Sequence, residues 1–213
     1  MLIASYNPKG TGDTLIVILR PDTKEQKQEI KNDIVRISDV ESNETLGYNF
    51  FNASQILDDL EGVNGQAPLT SADVDKLNTA LVAAGFTGDI EFDPEPKFVI
   101  GYVKKMEDHP DSDHLKVTTT VVDGGKELQI VSGSPNMAED IKVVVAKVGA
   151  MMPDGLIIWP GKLRGVESDG MIVSGRELRL ANAPQKKGAL ILPNDFGEVG
   201  DTFDFDKGQH IFD

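Results

Sequence analysis

Short apolar runs separated by turn residues fill most of the first ninety positions. Leu2 to Tyr6 and Leu15 to Leu19 flank the turn-rich stretch Asn7-Pro8-Lys9-Gly10-Thr11-Gly12-Asp13. The β-branched Ile16, Val17 and Ile18 favour a strand, so the two runs predict an antiparallel pair joined by a turn. Arg20-Pro21-Asp22 ends the second strand, and the polar Thr23 to Gln28 reads as a loop. Ile30, Ile34, Val35, Ile37 and Val40, a break at Ser42-Asn43-Glu44-Thr45, and then Leu46 to Phe51 predict a further antiparallel pair. Over Ser71 to Phe86 the period changes. Val74, Leu77, Leu81 and Val82 form a stripe at helical spacing, with Ser71 as N-cap, Asp73 in the first turn and Gly85 as the stop. This helix is expected to cover the small sheet, with Tyr6, Tyr48, Phe50, Phe51 and Phe86 packed in the core.

Asp89-Ile90-Glu91-Phe92-Asp93-Pro94-Glu95-Pro96 is acidic, and its two prolines favour extended backbone. It marks a boundary between a domain at 1–92 and a second at 97–213. Beyond it the pattern is that of short strands. Phe98 to Val103, Leu115 to Val122, Leu128 to Val131, Ile141 to Val148, Leu156 to Trp159 and Gly188 to Leu192 are separated by turn signals, among them Asp123-Gly124. Five or six strands in about a hundred residues fit a small Greek-key barrel of the OB type, one of the platforms that bind oligonucleotides. The fold class is therefore an α+β N-terminal domain followed by an all-β OB-fold domain with an acidic C-terminal tail.

Composition narrows the chemistry. The 213 residues contain no cysteine, which removes disulfides, thiolate nucleophiles and cysteine-based zinc sites. There is no apolar run of the roughly 18 residues needed to span a bilayer, and MLIASYNPKG has neither a basic region nor a long apolar core. A soluble, cytoplasmic protein that does not engage membranes is expected. A net charge of −14 opposes phosphate binding at first sight. Its distribution is uneven: residues 1–96 carry 7 Lys and Arg against 17 Asp and Glu, residues 97–192 carry 13 against 12, and residues 193–213 carry 1 against 6. The middle segment is thus nearly neutral and has room for a local basic patch. No Walker loop, zinc-protease helix or G-x-S-x-G elbow is present. His109, Asp113 and His114 lack a third nitrogen nearby, so neither a metal nor another cofactor is expected.

The stretch Leu163 to Leu178, LRGVESDGMIVSGREL, concentrates unusual chemistry. It holds the cations Arg164 and Arg176, the hydroxyls Ser168 and Ser174, three glycines and the apolar run Met171 to Val173. Gly165 and Gly170 bracket a tight connection in which backbone can turn with positive φ or approach a ligand closely.

With His109-Pro110-Asp111-Ser112-Asp113-His114-Leu115, Ile130 to Asn136, Val143 to Ala146 and Gly149-Ala150, this stretch resembles the successive blocks of the tRNA-binding OB domain. That domain occurs in the beta subunit of bacterial phenylalanyl-tRNA synthetase, in many methionyl-tRNA synthetases and in endothelial monocyte-activating polypeptide. The likeness covers roughly Phe98 to Leu192. The whole chain, with Gly47 to Ser54 in its first domain, resembles the free-standing YtpR family of bacteria, whose members often have Cys where this chain has Ser132 and Val173.

The resemblance implies a non-catalytic protein of translation that binds tRNA by shape and backbone, without an adenylate-forming domain. RNA contact is then expected from Asn136, Lys142, Lys147, Lys162, Arg164, Ser168, Met171, Ser174 and Arg176. Lys162 and Arg164, two apart, are expected on one side of a strand, joined by Arg176. Lys142 and Lys147 stand at odd spacing and face opposite ways, so one of them is expected in the groove. Each residue also has a structural alternative. Ser168 can bond the Asp169-Gly170 turn, Asn136 can hold a turn, and Met171 can be core or a platform for a base. Ser174-Gly175-Arg176-Glu177 fits a capping box, which outweighs RNA contact for Ser174. A rival function is a protein-interaction module recruiting a tRNA synthetase or other translation protein, with RNA secondary; the acidic first domain favours a basic partner. Monomer and homodimer both stay open.

Overall fold

In the computed structural model, which describes residues 1–213, the chain forms two compact units, Met1–Pro94 and Glu95–Asp213. The first contains β1 (Ile3–Tyr6), α1 (Pro8–Thr11), β2 (Thr14–Ile18), β3 (Gln26–Lys31), β4 (Ile34–Asp39), β5 (Thr45–Phe51), β6 (Gly65–Gln66) and α2 (Ser71–Ala83). Its strands make one antiparallel sheet in the order β3-β4-β5-β2-β1-β6. The expected loop at Thr23 to Gln28 is in part strand. β3 is an edge whose side chains are almost all exposed, so it shows no alternation of apolar and polar residues.

One sheet face, through Ala4, Tyr6, Leu15, Val17, Tyr48 and Phe50, packs with Val74, Leu77 and Leu81 of α2. Val82, expected in the stripe, and Phe51, expected in the core, are 62% and 43% exposed, and half-buried Phe86 lies at the margin of the core. The N-cap is Thr70 rather than Ser71: its hydroxyl accepts from the Asp73 amide, and the Asp73 carboxylate accepts from the Thr70 amide. Gly47 is dictated by sheet packing, since a Cβ there would lie 2.4 Å from the Val17 carbonyl oxygen.

The second unit is an OB-like barrel built from β7 (Phe98–Asp108), β8 (Lys116–Val121), β9 (Glu127–Ser132), β10 (Lys142–Lys147), the hairpin of β11 (Gly161–Leu163) and β12 (Val166–Ser168), then β13 (Gly170–Ile172) and β14 (Ile191–Leu192). Its main sheet runs β13-β10-β7-β8-β9, with β14 also on β10. β7 is long enough to serve two partners: Phe98 to Tyr102 pair with β10, and Tyr102 to Asp108 pair with β8 across an irregularity between Val103 and Lys105. Such a break bends a strand and lets a sheet curl.

The sheet comes close to sealing into a barrel where β9 meets β12. The Asp169 amide donates to the Gln129 carbonyl at 2.9 Å, the Gln129 side chain donates to the Glu167 carbonyl at 2.9 Å, and the Val131 amide donates to Ser168 Oγ at 3.1 Å. β10 is buried on both faces, which explains its unbroken apolar run. Val143 and Val145 join the cluster of Val99, Val103 and Ile130, whereas Val144 and Ala146 pack with Phe98, Val173, Phe196 and Phe203.

The acidic end of the chain is not a free tail. Phe196 and Phe203 are buried and stacked with centroids 5.4 Å apart. The Ile100 amide donates to the Asp201 carbonyl and the Phe203 amide to the Phe98 carbonyl, and α3 (Phe205–Gly208) follows. No helix is long and apolar enough to cross a membrane.

Candidate nucleic-acid interface

The β11–β12 hairpin forms one wall of a cavity on the barrel. Leu163 pairs with Val166, so Arg164 and Gly165 form a two-residue loop with φ of +45° and +86°. Both positive angles are what such a tight loop requires, and glycine supplies the second without strain. Arg164 therefore stands at a turn tip, not on the strand face it was expected to share with Lys162. Lys162 remains on β11, exposed and 3.4 Å from Glu167 across the hairpin.

A buried histidine anchors this hairpin. His109 Nδ1 accepts the Asp111 amide at 3.0 Å, which leaves the proton on Nε2 to be donated to the Leu163 carbonyl at 3.0 Å. Arg164 Nη1 donates to the Asp111 carbonyl at 3.1 Å. Both ring nitrogens of His109 are thereby committed to backbone and neither is available to a metal. In the same loop, the His114 ring beside Asp113 holds that carboxyl below its ordinary range.

The cavity encloses about 460 Å³. Its walls include the loop Ser132-Gly133-Ser134, Trp159, Gly161 and Leu163 of the hairpin, Met171, the cations Arg176 and Lys187, and Glu177. Trp159 and Met171 are half-buried, so each presents part of an apolar surface. Arg176 and Lys187 are exposed, and their side chains make no hydrogen bond or ion pair. An aromatic side chain and unpaired cations lining one cavity are groups of the kind that grip single-stranded RNA.

The other expected residues have partners within the protein. Ser168 is buried, donates to the Gly170 carbonyl and accepts the Val131 amide, so its hydroxyl closes the barrel seam. Ser174 and Glu177 form the reciprocal cap: the carboxylate accepts from the Ser174 amide and hydroxyl, and the Ser174 hydroxyl accepts the Glu177 amide. Asn136 holds residue 189 at both ends of its amide, donating to the Ala189 carbonyl and accepting the Ala189 amide. Lys142 donates to the Asn194 and Gly197 carbonyls, and Lys147 lies buried against both Asp123 carboxylate oxygens at 2.8 and 2.9 Å. Neither lysine lines the cavity.

Comparison with known proteins accords with this geometry. Residues 98–202 match the family model described as "Putative tRNA binding domain", and residues 21–93 match one described as "Domain of unknown function (DUF4479)". The chain is 47% identical over 203 residues to "Putative tRNA-binding protein YtpR" of Bacillus subtilis, an alignment covering 95% of this chain and 99% of that protein. The chain belongs to the YtpR family. It is also 41% identical over 130 residues to the phenylalanine-tRNA ligase beta subunit of Acinetobacter baylyi and 47% identical over 111 residues to that of Oceanobacillus iheyensis. These alignments cover 61% and 50% of this chain but only 15% and 14% of the two subunits.

In this YtpR-family chain, two cavity residues escape sequence reasoning, Trp159 and Lys187. The signals available were faint: Trp159 is the single tryptophan, in a passage rich in Gly and Pro, and Lys187 belongs to a lysine doublet in the near-neutral segment. Both stand on irregular backbone, where no periodicity reveals the direction of a side chain.

Proposed function

We propose that this protein binds tRNA through the barrel cavity, without catalysing a reaction on it. Trp159 and Met171 offer the apolar surface, Arg176 and Lys187 the phosphate contacts, and the hairpin tip at Arg164, with Lys162, a further cationic contact beside them. The placement of the lone tryptophan in one cavity with two cations whose side chains have no partner, in a domain whose family model is named for tRNA binding, is what supports this most strongly. Ser168, Ser174, Asn136, Lys142 and Lys147 act in the proposal by holding the cavity walls and the barrel, not by touching RNA. Recognition is of shape and backbone, since the free groups around the cavity are chiefly cations and apolar surfaces.

A non-catalytic role is supported by the first unit. Its Ser54–Asp13 pair resembles a nucleophile and base, but the Ser54 hydroxyl, the Ser54 amide and Tyr6 all hydrogen-bond to Asp13 and hold its carboxyl below the ordinary range. Such a carboxylate is a poor general base. Binding of unfractionated tRNA across a salt series tests the proposal. With three or so phosphates contacted, the log-log slope should be about −2 to −3, and Arg176→Ala with Lys187→Ala should flatten it by about 2 units. Unchanged affinity and slope in the double variant would remove the cavity from RNA binding.

A further inference from the structure

A second cavity of about 470 Å³ lies against the first, and the two share Ser174, Lys187 and Gly188. Lys187 and Gly188 therefore form the ridge between them. The second cavity has an apolar lining from Pro184, Leu190, Ile191 and Phe212 and carries both Lys186 and Lys187. No Asp or Glu contributes to it, although the chain carries a net charge of −14. Both lysines are exposed and make no hydrogen bond or ion pair, and Ile191 is 42% exposed. Phe212 lies beyond the residues 98–202 that match the tRNA-binding model. Its ring packs where a side chain at position 175 would otherwise stand: a Cβ on Gly175 would come within 2.7 Å of it. The C-terminal segment thus completes a cavity that the matched domain alone does not.

We infer that this second cavity holds an unpaired nucleotide adjoining, along the same RNA strand, the one held against Trp159, with the phosphate between the two on Lys187. The inference rests on the tRNA reading of the first cavity and names the ligand class more closely: a single-stranded step of RNA rather than a duplex surface. Each cavity falls in the roughly 300–1,000 Å³ range of small-molecule sites, which suits one nucleotide and is too small to take a helix inside it. An apolar floor accepts any base face, while a cationic rim without carboxylates takes the backbone. Continuity through Lys187 sets the order of the two positions.

Trp159, the single tryptophan, reports occupancy of the first cavity by fluorescence quenching. The full chain should be titrated with adenosine 5′-monophosphate, with the dinucleotide ApA and with unfractionated tRNA. The dinucleotide is expected to bind about tenfold more tightly than the mononucleotide, the worth of one stacked base. Ile191→Glu, at an exposed position, should abolish that advantage and weaken tRNA about tenfold while leaving the mononucleotide unaffected. Lys186→Ala, which keeps the apolar floor, should weaken the dinucleotide about threefold. Equal affinities for the two nucleotides, or dinucleotide binding unaltered in both variants while wild-type tRNA binding is intact, would overturn the inference and leave the first cavity's assignment standing. Failure of the wild-type chain to bind tRNA at all would overturn both. A protein partner retained after nuclease treatment and lost in Ile191→Glu would assign the second cavity to a polypeptide and likewise overturn it.

Discussion

His109 donates its Nε2 proton to the Leu163 carbonyl at 3.0 Å across 54 residues of sequence, and so fixes the hairpin that walls the cavity. Replacement by alanine removes that donor and the acceptor used by the Asp111 amide. His109→Ala is expected to cost about 1–3 kcal/mol, the range for groups stripped of a buried partner. His109→Gln, which keeps a donor, should recover part of it. Thermal unfolding combined with amide exchange across 161–168 checks this, and exchange no faster in His109→Ala than in wild type would refute the anchoring role.

Ser168 offers a sharper distinction between stability and binding. Its hydroxyl accepts the Val131 amide where the barrel closes. Ser168→Ala should lower stability by about 1–3 kcal/mol in urea titrations, with tRNA affinity per folded molecule unchanged. Full stability with weakened tRNA binding would instead make Ser168 an RNA contact.

Lys147 behaves similarly despite being a cation. Its ammonium is buried against Asp123, whose side chain is 32% exposed. Loss of one partner from a fully buried pair costs about 3–5 kcal/mol; with Asp123 partly in solvent, Lys147→Ala should cost about 2–3 kcal/mol. The salt slope of RNA binding should stay as in wild type. A slope reduced by about 1 would show that Lys147 reaches a phosphate.

Acid should destabilise the first unit. Asp39 accepts the Ser42 amide and hydroxyl and is lowered to about 2, while bonds from Thr70 lower Asp73. Depressed folded-state values favour the ionised form, so the stabilisation is complete above the unfolded-state value of about 3.9 and is lost as pH falls towards 2. Urea midpoints measured between pH 5 and 2 should fall, and Asp39→Asn should make that fall shallower. A parallel fall in both proteins would show that Asp39 is not linked to folding.

Much of the fold was legible because burial writes itself into periodicity. The stripe of Val74, Leu77 and Leu81 and the doubly buried run Val143 to Ala146 both declare their elements. The edge strand β3 did not, because its side chains meet solvent on both faces, and the segment after Leu192 looked like a tail because its acidic residues outnumber the phenylalanines that dock it. The candidate interface was harder to read. Residue type marks Ser168, Asn136, Lys142 and Lys147 as polar, but not whether a backbone carbonyl or a carboxylate already waits for them inside the protein. Arg164 misled by spacing: two residues from Lys162 suggests a shared strand face only if no turn intervenes, and Gly165 makes the turn.

Ultraviolet crosslinking in living cells, with sequencing of the bound RNA and mass mapping of the modified peptides, tests most directly whether tRNA occupies the barrel cavity. The expected result is tRNA as the recovered RNA, with adducts on peptides that contain Trp159, Met171, Arg176 or Lys187. Recovery of no tRNA, or adducts confined to peptides away from those residues, would contradict it.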